Sequence, residues 1–408
     1  MKLYIKLAWR NIMRNKRRTI IAGLALGIGL ASLIYTDALW IGLEDNMIAS
    51  ATSSFLGEGQ INREGFRRTF EAELTINDLD SVMARLSREP EVEHFTERVL
   101  GLGMISSPAN ISSISMVGID PATEPPLSQI DEALTEGKYL SGDNPRDLLI
   151  GRKLAELLEV ELGDRVVLTV AEAHTGELSQ EMFRVSGIFF FNVAEMDQSM
   201  AFVQLNQARK MLGIEGQAHQ IAIDFTHRDI GRDRKNPFWA RYSTDGNEAA
   251  GWVVLLPQLE GVFEMSQFST LLLGIVLFAV VALVIINSLF MSLYERMFEF
   301  GVLRALGTRP LSMGRLIVLE AGALAVISIV LGALLCLAAL LITDHYGIDY
   351  GGIEFAGVTF RDLLYPVVEP SQFIVYPVAV FLFTLLIALY PAAYAARLKP
   401  AEAMRRSF

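Results

Sequence analysis

Four long apolar segments constrain the fold of this chain more than any other feature of its sequence. They cover residues 19–43, 268–294, 316–343 and 370–396, and their only charged residues are Asp37 and Glu320. A helix of roughly twenty apolar residues is long enough to span a bilayer. The sequence therefore predicts four transmembrane helices, and the mean hydropathy of +0.36 agrees with a membrane protein.

The first apolar segment has a second interpretation, a cleavable signal peptide. A basic stretch precedes it, and Ala49-Ser50-Ala51 resembles a cleavage site. Its apolar run is longer than the core of about 7–15 residues found in signal peptides. We therefore favour a transmembrane helix.

The distribution of charge predicts the orientation of these helices. Residues 1–18 hold seven basic and no acidic side chains, while 295–315 and 397–408 each hold four basic ones. Basic loops remain on the cytoplasmic side. This places the amphipathic helix 1–18, the loop 295–315 and the tail 397–408 in the cytoplasm. Residues 44–267 and the loop 344–369 are then extracytoplasmic, and 44–267 carries 36 acidic against 19 basic side chains.

The long outer segment has the pattern of a mixed α/β domain. Helix-like stretches at 75–88 and 205–213 alternate with strand-like runs at 114–120, 165–170, 182–191, 200–205 and 219–225. The polar stretch 227–251 is predicted to be a solvated loop or an insertion. From Pro257 to Tyr294 nothing interrupts a helix, and 38 residues extend about 57 Å. Because the hydrocarbon core takes about 30 Å of that, we expect a stalk outside the membrane, unless the helix end frays.

Few side chains suggest chemistry in this chain. The five histidines are scattered, Cys336 is the single cysteine, and no GxxxxGK[ST] motif is present. The net charge of −11 argues against nucleic acid as a partner. We find no pattern that supports a membrane-bound enzyme, and we expect no cofactor or metal in this chain.

Three stretches resemble the FtsX/MacB-type permeases of ABC transporters. They are the basic, glycine-rich opening at 7–31, the segment "ERMFEFGVLRALGTRP" at 295–310, and the end of the last span at 390–405. The core of the second stretch is Glu299, Gly301, Arg304, Ala305 and Gly307. The resemblance implies four transmembrane helices in a 1+3 layout and a large extracytoplasmic α/β domain of the MacB periplasmic-core type.

The resemblance also implies a function, as the permease subunit of an ABC transporter in the bacterial inner membrane. Residues 295–315 would form a coupling helix on a cytoplasmic ATPase dimer, which binds ATP and Mg²⁺ itself. A second permease subunit, identical or paralogous, would complete the transporter. The expected coupling residues are Arg296, Glu299, Gly301, Arg304, Ala305, Leu306 and Gly307.

The cargo implied by the lipoprotein-releasing members is a lipoprotein or another amphipathic molecule from the outer leaflet. A groove for acyl chains is hypothesised at Leu26, Leu272, Ile275, Ala279 and Leu283, where plain helix packing would look similar. The hairpin position 171–181 lacks proline, which puts recruitment of a periplasmic carrier in doubt. The alternative function is an FtsX-like signalling subunit that transports nothing and regulates an extracytoplasmic partner.

The two acidic residues within the spans require separate interpretations. An ionisable residue inside a membrane span is a candidate functional residue by default. For Glu320 we nevertheless favour a structural or interfacial role. Asp37 is expected to mark the water boundary at the outer end of the first span.

Overall fold

A computed structural model of the chain describes residues 7, 8, 10, 11, 14, 16–142, 144–349, 354, 355, 358, 359 and 363–397. The chain forms two compact units. The first comprises Met1–Glu44, Glu264–Asp349 and Leu363–Phe408, and the second comprises Asp45–Phe263 and Tyr350–Asp362. Of the predicted cytoplasmic tail, all but Arg397 lies outside the described residues, as do nine residues of the predicted loop 344–369 and ten of the predicted helix 1–18.

The elements follow one another with short connections. The helices are α1 Lys16–Ala51, α2 Phe66–Thr69, α3 Leu79–Leu86, α4 Arg152–Leu158, α5 Ala194–Ser199, α6 Leu205–Leu212, α7 Asp229–Arg232, α8 Pro237–Tyr242, α9 Trp252–Leu255, α10 Pro257–Glu295, α11 Met297–Ala305, α12 Pro310–Tyr346 and α13 Gln372–Arg397. The strands are β1 Gly59–Arg63, β2 Val92–Ser106, β3 Ile111–Ile119, β4 Leu134–Gly137, β5 Asp147–Gly151, β6 Arg165–Ala171, β7 Leu178–Phe189, β8 Met200–Gln204, β9 Gln220–Phe225, β10 Asn247–Gly251, β11 Glu354–Phe355 and β12 Val358–Thr359.

Four helices among the described residues are long and apolar enough to cross a membrane, which confirms the predicted four spans. They are α1 (extended by a π-helical turn at Thr52–Leu56), α10, α12 and α13. Helix α10 begins at Pro257, as predicted, and its 39 residues extend about 58 Å. Both α1 and α10 are unbroken and contribute residues to both units.

In the first unit, small residues bring α1 and α12 close together. A Cβ added to Gly332 would lie 2.7 Å from the carbonyl oxygen of Gly27, and one added to Gly27 would lie 3.1 Å from Ser328 O. Backbones approach this closely only where side chains are absent. The glycines of the first span therefore serve helix packing here.

The second unit is built on a ten-stranded sheet. Its order is β10-β1-β9-β2-β3-β8-β5-β7-β4, and β6 pairs with both β2 and β7. Strand β2 is the longest strand of the sheet. It pairs antiparallel with β3, β6 and β9, so it connects the two halves of the sheet. Burial alternates along β6, as expected for a strand with one face on the core. The mixed α/β prediction is confirmed, and Gly213 ends α6 at φ +66°.

The prediction of a solvated loop at 227–251 is wrong. This stretch contains α7, α8 and β10, and β10 pairs with β1. Phe238, Trp239 and Tyr242 are buried in one hydrophobic cluster with Phe225. Three aromatic side chains spaced along a short helix supply enough apolar surface to fold a segment that is otherwise polar.

A buried ion pair fixes the end of the first long helix within the second unit. Arg98 on β2 and Glu124 are both fully buried, with Nε–Oε2 and Nη2–Oε1 distances of 3.0 and 2.6 Å. Arg98 Nη1 also donates to the carbonyl oxygen of Phe55, and its guanidinium lies 4.0 Å from the centre of the Phe55 ring. One side chain thus holds the π-helical turn that follows α1 against the sheet.

A second buried carboxyl lies just beyond that turn. Glu58 accepts a hydrogen bond from Phe225 N at 2.9 Å, and its Oε1 lies 3.2 Å from Arg228 Nε. Burial, the largest effect, and the nearby Asp224 raise the pKa of Glu58 to about 7, against the opposing effects of Phe225 N–H and Arg228. Glu58 O also accepts from Trp252 N, so this residue links the segments leading from α1 and into α10 within the second unit.

We expect Arg98→Met to destabilise the second unit by about 3–5 kcal/mol, because it leaves the Glu124 carboxylate buried without a partner. The measurement is denaturant unfolding of the full chain in detergent, monitored by tryptophan fluorescence. The double variant Arg98→Met/Glu124→Leu is the control and should recover much of the loss. A single variant that is as stable as the double one would contradict this assignment.

The raised pKa of Glu58 predicts a pH dependence. Between about pH 4.5 and 7 the unfolded chain has lost this proton while the folded chain keeps it, so stability falls as the pH rises through this window. Glu58→Gln stays neutral, and its unfolding midpoint should fall less than that of the wild type between pH 5 and pH 8. Parallel pH profiles for the two proteins would refute the prediction. Glu177→Gln, at an exposed loop position, is the matched control.

Candidate functional site

The segment between α10 and α12 forms a separate short helix, α11. Arg296 leaves helical geometry at φ −113° and ψ 15°, which ends α10 and begins α11. At the other end Gly307 has φ +92°; its N–H bonds to Arg304 O, and Thr308 N–H bonds to Leu303 O. This pair of bonds is a Schellman motif, which glycine forms without steric cost. Gly307 therefore marks the C-terminus of α11.

A charged network ties α11 to the rest of the first unit. Arg296 donates to Glu299 at 3.1 Å and to Glu320 of α12 at 2.6 Å. Arg14 reaches Glu299 at 3.0 Å, and Asn11 donates to Glu320 at 2.6 Å. The basic N-terminal segment, α11 and α12 are therefore held together by two carboxylates.

The two carboxylates have different environments. The Glu320 side chain is only 7% exposed and that of Arg296 12%, so removing either partner leaves a buried charge and costs about 3–5 kcal/mol. Glu299 is 44% exposed and Arg14 65%, so that pair contributes about 0–1 kcal/mol. Burial acts to raise the pKa of Glu299, but hydrogen bonds from Arg14 and Arg296 outweigh it and lower that pKa.

The opposite side of α11 is apolar and exposed. Met297, Phe300 and Gly301 are buried against the unit, whereas the outward residues are Phe298, Val302, Leu303 and Leu306, the last 78% exposed. We call these four residues the α11 apolar face. Exposed large apolar side chains in a cluster mark an interaction surface.

The predicted coupling residues therefore divide into two groups. Arg296 points into the protein, Gly301 is buried, and Glu299 is half exposed but paired. Ala305, Leu306 and Gly307 are exposed, and Arg304 is intermediate, its Nη1 lying 3.5 Å from Thr308 O. Sequence reasoning missed Phe298 and Val302, although their spacing on one helix face was a usable signal. It also missed the link from Asn11 and Arg14.

The hypothesised acyl-chain residues do not share one surface in this chain. Leu272, Ile275, Ala279 and Leu283 lie exposed on α10. Leu26 is only 1% exposed and packs in a cluster with Ala22, Ile285 and Leu324. Within the described ranges, no group of three His, Cys, Asp or Glu side chains is arranged to hold a metal ion. The surface of α10 is left open for a membrane partner or for lipid.

The chain matches two family models and several known proteins. The family model described as MacB-like periplasmic core domain matches residues 19–229, and the one described as FtsX-like permease C-terminal matches residues 271–400. The lipoprotein-releasing system transmembrane protein LolE of Haemophilus influenzae is 21% identical over 81% of this chain and 82% of that protein. LolC of Xylella fastidiosa is 24% identical over 71% of this chain and 72% of that protein.

Among solved structures, the periplasmic region of MacB from Actinobacillus actinomycetemcomitans matches at 12% identity with a TM-score of 0.35. It covers 50% of this chain and 94% of that one. The MacB-like family model alone spans more than half of the 408 residues. The chain therefore belongs to the FtsX/MacB-like family of ABC transporter permeases.

Proposed function

We propose that this chain couples ATP hydrolysis by a separate cytoplasmic ATPase to movement of its extracytoplasmic domain. The observation that carries this proposal is the α11 apolar face, which projects from a helix that is otherwise fixed by buried contacts. A rigid helix with an exposed apolar side is suited to docking in a groove of a partner. ATP and Mg²⁺ are bound by that partner, and this chain acts as a non-catalytic subunit.

Transmission through this permease rests on α1 and α10, the two helices that contribute residues to both units. Within the second unit, Arg98 anchors the turn after α1, and Trp252 packs edge-on against Phe263 in the second turn of α10. In the first unit, α10 leads through Arg296 directly into α11. A force on α11 is therefore delivered to α10 without a flexible linker.

The cargo we propose is a lipoprotein or another amphipathic molecule of the outer leaflet. Two relatives carry lipoprotein release in their names. Most of α10 is uncovered in the single chain, with only 11% of its most apolar stretch buried. A second permease subunit, identical or paralogous, would cover part of it, and acyl chains would contact Leu272, Ile275, Ala279 and Leu283.

The orientation that this function requires can be tested with two introduced cysteines. In a Cys336→Ala background, an impermeant maleimide should label Glu177→Cys in cells with a permeabilised outer membrane. Arg309→Cys should react only after lysis, because basic loops stay in the cytoplasm. Both positions are exposed, so labelling depends only on whether the maleimide reaches that side of the membrane. The reverse labelling pattern would invert the proposed orientation.

The docking surface can be tested with Leu306→Asp. Burying a leucine contributes about 1.5–3 kcal/mol, so the ATPase should co-purify with the variant at least about tenfold more weakly. Leu178→Asp is the matched control, since that leucine is 70% exposed on a strand of the second unit. Undiminished ATPase binding by Leu306→Asp would rule out the α11 apolar face as the docking surface.

Glu299→Gln tests whether docking of the ATPase can be separated from coupling of ATP hydrolysis to cargo release. It leaves the α11 apolar face intact but weakens the bonds from Arg14 and Arg296. We expect normal ATPase binding, with less cargo released from vesicles per ATP hydrolysed. If the complex of the wild-type permease with its ATPase hydrolyses ATP in response to an extracytoplasmic partner but releases no cargo, the signalling function replaces transport.

A further inference from the structure

A groove lies between α12 and α13, beside the buried cluster of the first unit, to which its lining residue Ala392 belongs. Its volume is about 830 Å³. The two helices run antiparallel, and the space exists because Gly314, Ala393 and Ala396 leave it unfilled, while Val318 and Leu389 form apolar walls. A Cβ added to Gly314 would lie 3.4 Å from Ala392 O, so the helices are already close beneath the groove.

The cytoplasmic end of the groove is basic. Arg315 lines it and is exposed, and no ion pair or hydrogen bond to it occurs among the described residues. Arg397, also exposed, follows Ala396 directly. The groove begins beside the first turn of α12. Positive charge thus collects at one end of an otherwise apolar channel.

From this combination we propose that the α12–α13 groove binds an anionic phospholipid of the cytoplasmic leaflet. One acyl chain lies along Val318 and Leu389, and the phosphate lies at Arg315 and Arg397. Anionic lipids are enriched in that leaflet, and basic pockets between transmembrane helices on this side bind their headgroups. The charges lie at the helix ends and the apolar walls lie deeper in the spans, which is the polarity of a lipid and not of a soluble peptide.

A bound lipid would also have a mechanical consequence. Arg315 lies on the same helix as Glu320, whose carboxylate holds Arg296 and the coupling segment from the other side of α12. A lipid that fills the groove supports the start of α12 where it receives force from α11. The lipid site itself does not depend on what the transporter carries.

The test uses the full chain in nanodiscs of phosphatidylethanolamine and phosphatidylglycerol in equal parts, analysed by native mass spectrometry after release. The wild type should retain phosphatidylglycerol in preference to phosphatidylethanolamine. Arg315→Gln and Arg397→Gln should each reduce the retained fraction about fivefold. Arg309→Gln is the matched control, because this exposed arginine precedes α12 and does not line the groove.

A second variant tests the apolar part of the site. Ala393→Phe fills the groove without changing charge and should displace the lipid, while Arg315→Gln remains informative if that variant folds poorly. A photo-crosslinker at Leu389 should capture phosphatidylglycerol. Equal lipid retention by Arg315→Gln and Arg309→Gln, or crosslinks to a second permease chain or the ATPase instead of lipid, would overturn the proposal.

Discussion

A carboxylate within an apolar transmembrane helix must find a partner, and this constraint organises the contacts among α10, α11 and α12. Glu320 lies three turns into α12, where an unpaired charge is expensive. Arg296 and Asn11 meet it, and Arg296 in turn sits at the break between α10 and α11. The position of α11 is therefore set by the need to neutralise a buried acid. Glu320 is a structural residue here, as its sequence context favoured.

The second unit uses the same device. Arg98 and Glu124 are completely buried together, and the spare donor of Arg98 holds the backbone at Phe55. A buried pair of this kind adds little net stability compared with apolar packing, but it is costly to break and it fixes one geometry. Such a contact is suited to a rigid connection, which transmits a displacement of α1 to the sheet.

These contacts give the permease a consistent physical character. Its fixed parts are the α11 network, the close approach of α1 and α12 at Gly27 and Gly332, and the anchored ends of α1 and α10 in the second unit. Its uncovered parts are the α11 apolar face, the membrane surface of α10 and the α12–α13 groove. We expect the fixed parts to carry force along this chain, and we expect the ATPase, the second permease subunit and lipid to bind at the uncovered parts.

The sequence by itself determined the features that depend on local composition. Four apolar segments predict four spans because hydrophobic length is a property of each segment alone, and the alternation in β6 and the glycines at 213 and 307 likewise mark local geometry. The segment 227–251 was misjudged because Phe238 and Trp239 become core residues only when β1 and β9 lie beside them. The inward turn of Arg296 was also invisible, since Glu320 is 24 residues away along the chain.

Arg98 and Glu124 gave no signal in the sequence either, because in the sequence each resembles an ordinary surface charge. Only the folded chain buries the two side chains together. The same holds for the hypothesised groove residue Leu26, which tertiary packing places inside the helix cluster, while the four residues on α10 stay exposed. Periodicity reports which side of an element is apolar, but it does not report which partner covers that side. Only the tertiary structure decides that, because the energy of a buried charge or a packed leucine depends on atoms supplied by distant parts of the chain.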